Sequence, residues 1–352
     1  MKKSQLILAA AALVALASCS NEGYTPSSSL ENEIGFNAVT RMATRANDAI
    51  ITGAVYDSTN AFQVWGWQSQ KDGNEAFSDV ADGASSNFMT DLTISYCPGR
   101  LNLPKAWRNA TNHYYWPFTG KIGFLAVHPY TTTMTSAPTW NATDTLPQVT
   151  IAGYTVTGKD STDLMFAANK GARQSAALPM VFKHALSQIQ FRVRTNADYT
   201  LDMVEFKVDS VKINNIALSG DVTYAHNAIS WDNVAAQTSG KDYYKTTQVV
   251  NYKESDAAAD LYGRALVMIP QDKNDATTIT IGYTMKQKDY DAISGTVTIA
   301  APWKTAAAAD IAAWEVGKKY NYTLCFKLNE ITFDPTVTDW VEVDVQTINI
   351  LD

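Results

Sequence analysis

The clearest chemistry in this chain belongs to Cys19, a thiol placed directly after an apolar leader. Lys2 and Lys3 come before the leader, and residues 6–17 consist only of Ala, Leu, Ile and Val. That run is too short to cross a membrane as a permanent helix and is typical of an export signal. We therefore predict that residues 1–18 are a lipoprotein signal peptide and that the sulfur of Cys19 is acylated.

The residues just before this cysteine are Leu16, Ala17 and Ser18, and together with Cys19 they resemble the bacterial lipobox. In a lipobox the cysteine is acylated and becomes the new N-terminus, and several acyl chains hold a protein on a membrane more firmly than one does. The alternative is an ordinary signal peptide in which the cysteine is incidental. Residues 19–32 are polar and rich in Ser, Asn and Glu, which is typical of a flexible tether.

A short apolar pattern follows the tether. Ile34, Phe36 and Ala38 occupy alternate positions, so residues 33–39 are predicted to form a strand with one apolar face. If that face fills a sheet, the three side chains should be buried.

Two arginines stand directly after this strand. Arg41 and Arg45 are the first arginines of the chain, and the next one is Arg100. One interpretation is that they mark a protease site. The other is that they lie in an ordinary solvated linker, since exposed linkers are common places for such residues.

The four histidines suggest no catalytic or metal chemistry. His113, His128, His184 and His226 are scattered, and no pair has the spacing of a metal site. We expect His184 to orient a strand or loop, because no neighbouring acid and nucleophile pattern accompanies it. Nucleophile-elbow, phosphate-loop and zinc-protease motifs are also absent from the sequence. The sequence therefore predicts no enzyme activity, no cofactor and no metal.

Composition limits the partners and the size of the fold. The formal charge is −7 and becomes −9 once Lys2 and Lys3 are removed, so nucleic acid is not an expected partner. The remaining chain of about 330 residues suggests two domains of ordinary size. Cys97 and Cys325 are left after Cys19, and they could form a disulfide or remain ordinary thiols.

Most of the chain alternates apolar and polar residues with a period of two, which is the pattern of half-buried strands. The clearest run places its core face at Tyr320, Tyr322, Leu324, Phe326 and Leu328 and predicts a solvated opposite face. The pattern predicts an all-β fold of two tandem antiparallel β-sandwich domains, at residues 33–180 and 181–352.

One segment departs from the strand pattern. The alanine-rich stretch from Thr305 to Trp314 permits a short helix, which Gly317 is placed to end. We expect such minor helix insertions to lie between strands and not to determine the fold.

Several segments together resemble the fimbrillin family, the lipoprotein precursors of type V pilus subunits. Each segment alone is weak, but their shared order extends over nearly the full length. They are the lipobox at Cys19, EIGFNAVTRMATRA at 33–46, TDLMFA at 162–167, LPMVFKHALSQIQFRV at 178–193, and WEVGKKYNYTLCFKLNEITFDPTVTDW at 314–340.

The resemblance implies a transthyretin-like sandwich fold and a route to the cell surface. The precursor would reach the outer membrane through lipid on Cys19, palmitate included, and an arginine-specific protease would then cut after the first strand. Arg45 is the first choice for the cut and Arg41 the second. Loss of the strand at residues 33–39 would leave an apolar groove and unpaired backbone groups, which a strand of another fimbrial subunit can fill.

The family mechanism also needs a donor strand, and residues 341–351 are the candidate. One apolar face and a shifted second register are formed by Val341, Val343, Val345, Ile348 and Ile350. Alternatively this segment is simply the last strand of its own sheet. The same ambiguity separates a stalk subunit from a tip or anchor subunit.

Two functions remain open at this stage. The first is a structural subunit of a cell-surface fimbria that supports adhesion. The second is a lipid-anchored, non-polymerising module that binds a host protein or glycan through aromatic side chains. Candidates for such a surface are Trp65 with Trp67 and Tyr114 with Trp116, although a buried core is the commoner fate of these residues.

Overall fold

The computed structural model describes residues 32–40, 60–70, 77–97, 105–129, 134, 136–141, 146–156, 162–195, 203–235, 239–244, 247–250, 258–261, 265–273, 276–301, 303–304, 310–327 and 331–339. Within these ranges the regular elements are strands and no α-helix occurs. The prediction of an all-β chain is therefore confirmed. No helix in the described part of the chain has the length and hydropathy needed to cross a membrane.

The first nine strands lie between residues 36 and 184. They are β1 (Phe36–Thr40), β2 (Ala61–Ser69), β3 (Met89–Cys97), β4 (Ala106–Arg108), β5 (Lys121–His128), β6 (Thr139–Asn141), β7 (Leu146–Thr155), β8 (Met165–Gly171) and β9 (Leu178–His184).

The remaining strands follow from residue 187. They are β10 (Ser187–Thr195), β11 (Val204–Ile216), β12 (Ser219–Ala225), β13 (Ala228–Asp232), β14 (Ser239–Tyr244), β15 (Gln248–Val249), β16 (Ala259–Asp260), β17 (Leu266–Met268), β18 (Gln271–Asp272), β19 (Thr278–Gln287), β20 (Ile293–Ala300), β21 (Trp303–Lys304), β22 (Asp310–Ile311), β23 (Ala313–Trp314), β24 (Lys318–Phe326) and β25 (Ile331–Asp339).

Seven of the early strands close into a barrel in the order β1-β4-β3-β2-β5-β8-β9. β1 is the strand that closes it. It runs parallel to β9, from Phe36 opposite Leu178 to Thr40 opposite Phe182. On its other side it pairs antiparallel with β4 at Phe36 and Trp107.

The barrel wall separates two apolar cores. In β5, Ile122 and Phe124 belong to the core inside the barrel, whereas Leu125 and Val127 belong to a second core outside it. A strand buried on both faces needs apolar residues at consecutive positions, which is why β5 reads as a nearly continuous apolar run.

The second core is enclosed by three further sheets. Their orders are β13-β12-β7-β6, β16-β10-β24-β25 and β14-β11-β19-β20. Strands β6 and β7 come from the first half of the chain, yet β7 pairs with β12 from the second half. The barrel ends with β9 at residue 184, and the next sheet begins with β10 at residue 187. A domain boundary near residue 180 stays a prediction.

Two details of the expected strand pattern are wrong. The alternate face of β24 is not solvated, because Asn321, Thr323 and Cys325 are buried. β24 is a central strand between β10 and β25, and on this face Asn321 and Cys325 lie beside Gln190 and Arg194 of β10, which are buried too. Alternation in the sequence reports only the polarity of the side chains and not whether other groups cover them.

The expected short helix is also wrong over the residues that the structure describes. Asp310–Ile311 and Ala313–Trp314 are strands, and the latter pairs with β18 through Gln271 and Asp272. Trp314 is 1% exposed, so burial of one indole outweighs the weak helix preference of its alanine neighbours. Gly317, at φ +66°, lies in the turn that leads into β24.

Candidate interaction site at the first barrel strand

The first strand inserts its apolar side chains into the barrel core, as the alternation of its sequence predicts. Ile34, Phe36 and Ala38 are 3%, 1% and 1% exposed, while Asn37 between them points to solvent. All three buried side chains belong to the core inside the barrel. This segment is therefore an integral part of the core and not a loosely attached leader.

Phe36 occupies an aromatic socket. Its ring meets the ring of Phe124 edge-on, with centroids 5.1 Å apart, and that of Phe62 at 6.3 Å. Phe62 in turn contacts Trp107 and Phe182. Edge-to-face pairs of this kind add to the stabilisation that burial alone provides.

Backbone hydrogen bonds hold the segment just before β1 on both of its sides. The Ile34 N–H donates to the carbonyl of Tyr114 at 2.8 Å, and the Trp116 N–H donates to the carbonyl of Asn32 at 2.9 Å. On the other side the Leu178 N–H donates to the carbonyl of Gly35 at 2.7 Å. The segment is thus bonded to its neighbours in the manner of a sheet strand, and its departure would leave donors and acceptors to be satisfied again.

A buried carboxylate fixes the start of the segment. The Glu33 side chain is 1% exposed, and its Oε1 lies 3.0 Å from Nδ1 of His113. Arg173 adds a hydrogen bond from Nε to Oδ1 of Asn32 at 3.0 Å. The sequence did not indicate these partners, because they come from loops 80 and 141 residues away.

The other sequence-predicted parts of the site are Cys19, Arg41, Arg45 and the candidate donor strand 341–351. They lie outside the described residues. Of the predicted constellation, the structure therefore describes the removable strand through Ile34, Phe36 and Ala38.

The buried histidines form structural contacts. His184 Nδ1 lies 2.7 Å from Oδ2 of Asp163, and both side chains are almost fully buried. His128 lies nearby, and its Nδ1 is 3.1 Å from the carbonyl of Ala61. Burial lowers the pKa of His128 below its ordinary value. Among the described residues no group of three His, Cys, Asp or Glu side chains could hold a metal ion.

The aromatic residues proposed for a glycan surface are mostly in the cores. Trp65, Trp67 and Trp116 are at most 4% exposed, and Tyr114 packs partly buried against the barrel core. Cys97 and Cys325, which the sequence allowed to pair, do not form a disulfide with each other.

The fold and the site together define an all-β protein with a closed barrel whose first strand fills the barrel core. The sequence model of the fimbrillin-like family matches residues 40–340. The chain belongs to the fimbrillin-like family. This is a family of structural adhesion proteins and not of enzymes, and its members are fimbrial and cell-adhesion proteins of the cell surface.

Solved structures share this fold. A fimbrial protein from Bacteroides vulgatus is 18% identical and superposes with a TM-score of 0.58, over 88% of this chain and 100% of that one. A protein assigned to cell adhesion from Bacteroides ovatus is 16% identical, with a TM-score of 0.50 over 89% of this chain and 99% of that one. No curated protein sequence matches the chain significantly.

Proposed function

We propose that the chain is a structural subunit of a type V pilus fimbria that polymerises by strand exchange and supports adhesion. It is exported as a lipoprotein, anchored in the outer membrane through Cys19, and cut by an arginine-specific protease after Arg45 or Arg41. A strand of another fimbrial subunit then replaces residues 33–39. Membership of the fimbrillin-like family supports the fimbrial part of this proposal.

One observation carries the mechanistic part. Phe36 and its two apolar neighbours fill the barrel core, while the chain continues directly from Thr40 to Arg41. A cut at that point would separate the strand from the rest of the chain without breaking any other barrel strand. Departure of the strand would expose the socket of Phe62 and Phe124 together with the edge of β9, which is a costly state. An incoming strand relieves that cost, so proteolysis supplies the driving force for assembly.

The donor is proposed to be the C-terminal segment of a neighbouring subunit, in the position that residues 341–351 occupy in this chain. The alternative function is a lipid-anchored surface module that keeps residues 33–39 and binds a glycan or host protein. Burial of Trp65, Trp67 and Trp116 takes away the aromatic surface that motivated that alternative.

The test is the intact mass and N-terminal sequence of the protein recovered from the cell surface. We expect a mature start at Ala46 or Met42, and high-molecular-weight ladders that disappear in the Arg41→Ala, Arg45→Ala double variant. Arg100→Ala is the matched control and should leave both unchanged. A wild-type protein that begins at acylated Cys19 would contradict processing and would favour the alternative.

A further inference from the structure

The barrel wall lies so close to Gly35 that a side chain there would require its neighbours to shift by a few tenths of an ångström. A Cβ atom at this position would lie 3.1 Å from Cβ of Ala106 and 3.1 Å from Nη2 of Arg108. Carbon atoms in contact ordinarily sit about 3.5–4.0 Å apart. Ala106 and Arg108 are both buried. The Cβ of Ala106 is fixed to the backbone of β4, so it cannot retreat unless that strand moves.

The backbone cannot move away from this wall either. The Gly35 carbonyl accepts the 2.7 Å hydrogen bond from the Leu178 N–H on the opposite side. A strand that moves away from Ala106 and Arg108 moves toward Leu178 and compresses this hydrogen bond, which is already at the short end of the ordinary range. The position of Gly35 is therefore a site that accepts glycine and resists larger residues.

The next position, that of Phe36, requires a large aromatic side chain. Phe36 is 1% exposed within its socket of aromatic rings. A valine or isoleucine there would leave a cavity where the ring lies, and cavities in a close-packed core are costly. Asn37 is exposed, so the groove does not select the side chain at the position after the aromatic residue.

The groove therefore favours a bound strand in which glycine is followed directly by an aromatic residue. The chain's own C-terminal segment, VEVDVQTINILD at 341–352, contains neither glycine nor an aromatic residue. In any register and either direction it would place a side chain against Ala106 and Arg108 and leave the Phe36 socket underfilled.

We infer that this groove selects a donor strand carrying glycine and an aromatic residue at the positions of Gly35 and Phe36, and that the donor comes from a different kind of subunit and not from a second copy of this chain. The inference rests on the proposed function, since it assumes that residues 33–39 are exchanged. It specifies the partner: a heterologous strand with a glycine–aromatic pair.

Labelled peptides test this on the full chain after cleavage with an arginine-specific protease. The parent peptide is EIGFNAVT, residues 33–40, and incorporation is read as label that comigrates with the folded protein. We expect Gly35→Ala in the peptide to weaken incorporation about tenfold. Phe36→Val should weaken it on the order of 100-fold. Asn37→Ser is the matched control and should bind like the parent.

The decisive comparison is with the peptide VEVDVQTINILD. We expect its incorporation to be at least about 100-fold weaker than that of the parent, because it fails at both sites. Equal incorporation of the two peptides would overturn the selectivity and leave strand exchange intact. Failure of the cleaved chain to take up even the parent peptide would instead overturn the exchange itself, and the proposed function with it.

A variant of the protein tests the glycine site separately. Ala106→Gly removes the Cβ atom of one of the two residues that a new Cβ at position 35 would meet. The cleaved Ala106→Gly protein should therefore accept the Gly35→Ala peptide better than the wild-type protein does, with no gain for the Phe36→Val peptide. An unchanged preference for glycine would show that this wall does not select the donor.

Discussion

Strands β1 and β24 have the same alternating sequence pattern, but the fold fixes them very differently. β1 is paired along its length with β9 and meets β4 only at Phe36 and Trp107. β24 is paired along its length with both β10 and β25. In addition, β1 exposes Asn37 on its outer face, whereas β24 is buried on both faces.

This difference agrees with the proposed exchange of β1 and makes β24 an unsuitable strand for exchange. Loss of β1 would open one groove and remove Phe36 and Ala38 from the core inside the barrel, and neither of them belongs to the second core. Loss of β24 would remove Tyr320, Tyr322 and Leu324 from the middle of the second core. Local opening costs little free energy where few buried apolar groups hold an element. Substitutions in β1 should therefore act locally, whereas substitutions in β24 should lower the stability of the whole fold.

The largest effect is expected from Tyr322→Ala in β24. The ring is fully buried, and its hydroxyl oxygen accepts a 2.8 Å hydrogen bond from Nε1 of Trp314. Truncation leaves a cavity and an indole N–H without its acceptor, so the free energy of unfolding should fall by about 3–5 kcal/mol. Urea denaturation with an unchanged m-value measures it.

The controls for this substitution separate cavity from hydrogen bond. Tyr322→Phe keeps most of the ring volume and should cost about 1–3 kcal/mol through the indole N–H. Tyr290→Ala, at a side chain that is 69% exposed, should stay within about 0.5 kcal/mol of wild type. A Tyr322→Ala protein as stable as wild type would refute the central role of β24.

A smaller and local effect is expected from Phe36→Ala in β1. Emptying the aromatic socket should release the strand, so the amide of Leu178, which bonds the Gly35 carbonyl, should exchange with solvent roughly 100-fold faster. The amides of β24 should keep their wild-type rates in hydrogen-exchange mass spectrometry or NMR. Asn37→Ser is the control. Equal acceleration in both strands would mean that β1 and β24 open as one unit, which would contradict the comparison.

The smallest effect on stability depends on pH and concerns Lys273. Its amino group lies over two aromatic rings, 5.2 Å from the ring centroid of Trp314 and 5.6 Å from that of Tyr320. Burial lowers the pKa of Lys273 from 10.5 to about 7, against the attraction of Asp272 and Glu315. The unfolded chain therefore binds more protons than the folded chain between these two values, and stability should rise with pH across that window.

Replacing the buried amine removes this dependence. Lys273→Met should raise the thermal midpoint relative to wild type near pH 7, and the gain should shrink as the pH approaches 10. Thermal unfolding followed by circular dichroism at several pH values measures the gain. Lys288→Met, at an exposed lysine, serves as the control. A gain in thermal midpoint that grows with pH would contradict this explanation, because burial disfavours the charged form of Lys273, which predominates at low pH.

The sequence was sufficient to predict which side chains face the core, because a period of two assigns faces. It predicted the burial of Ile34, Phe36 and Ala38 correctly. A period of two does not name the neighbouring strand or its register, and closure of the barrel by parallel β1 and β9 could not be foreseen. For the same reason the polar face of β24 was wrongly expected to be solvated.

The polar contacts of the site could not be predicted from the sequence for a related reason. The pairs Glu33–His113 and Asp163–His184 join residues 80 and 21 positions apart. Nothing in the local sequence distinguishes these carboxylates from solvated ones. Likewise, the close approach of Ala106 and Arg108 to Gly35 depends on strand placement in the closed barrel, and the glycine in EIGF carried no visible signal of it.

The parallel pairing of β10 with β24 has a mechanical consequence. β10 begins immediately after the barrel, and its residues Gln188–Thr195 lie beside Lys319–Phe326 of β24. Tension that pulls the start of β10 away from the end of β24 acts along both strands. It therefore shears all the hydrogen bonds between them at once, whereas a hairpin pulled from its open end peels one bond at a time. If the subunits of a fibre are joined by the strand exchange proposed above, this pair would resist traction along the fibre.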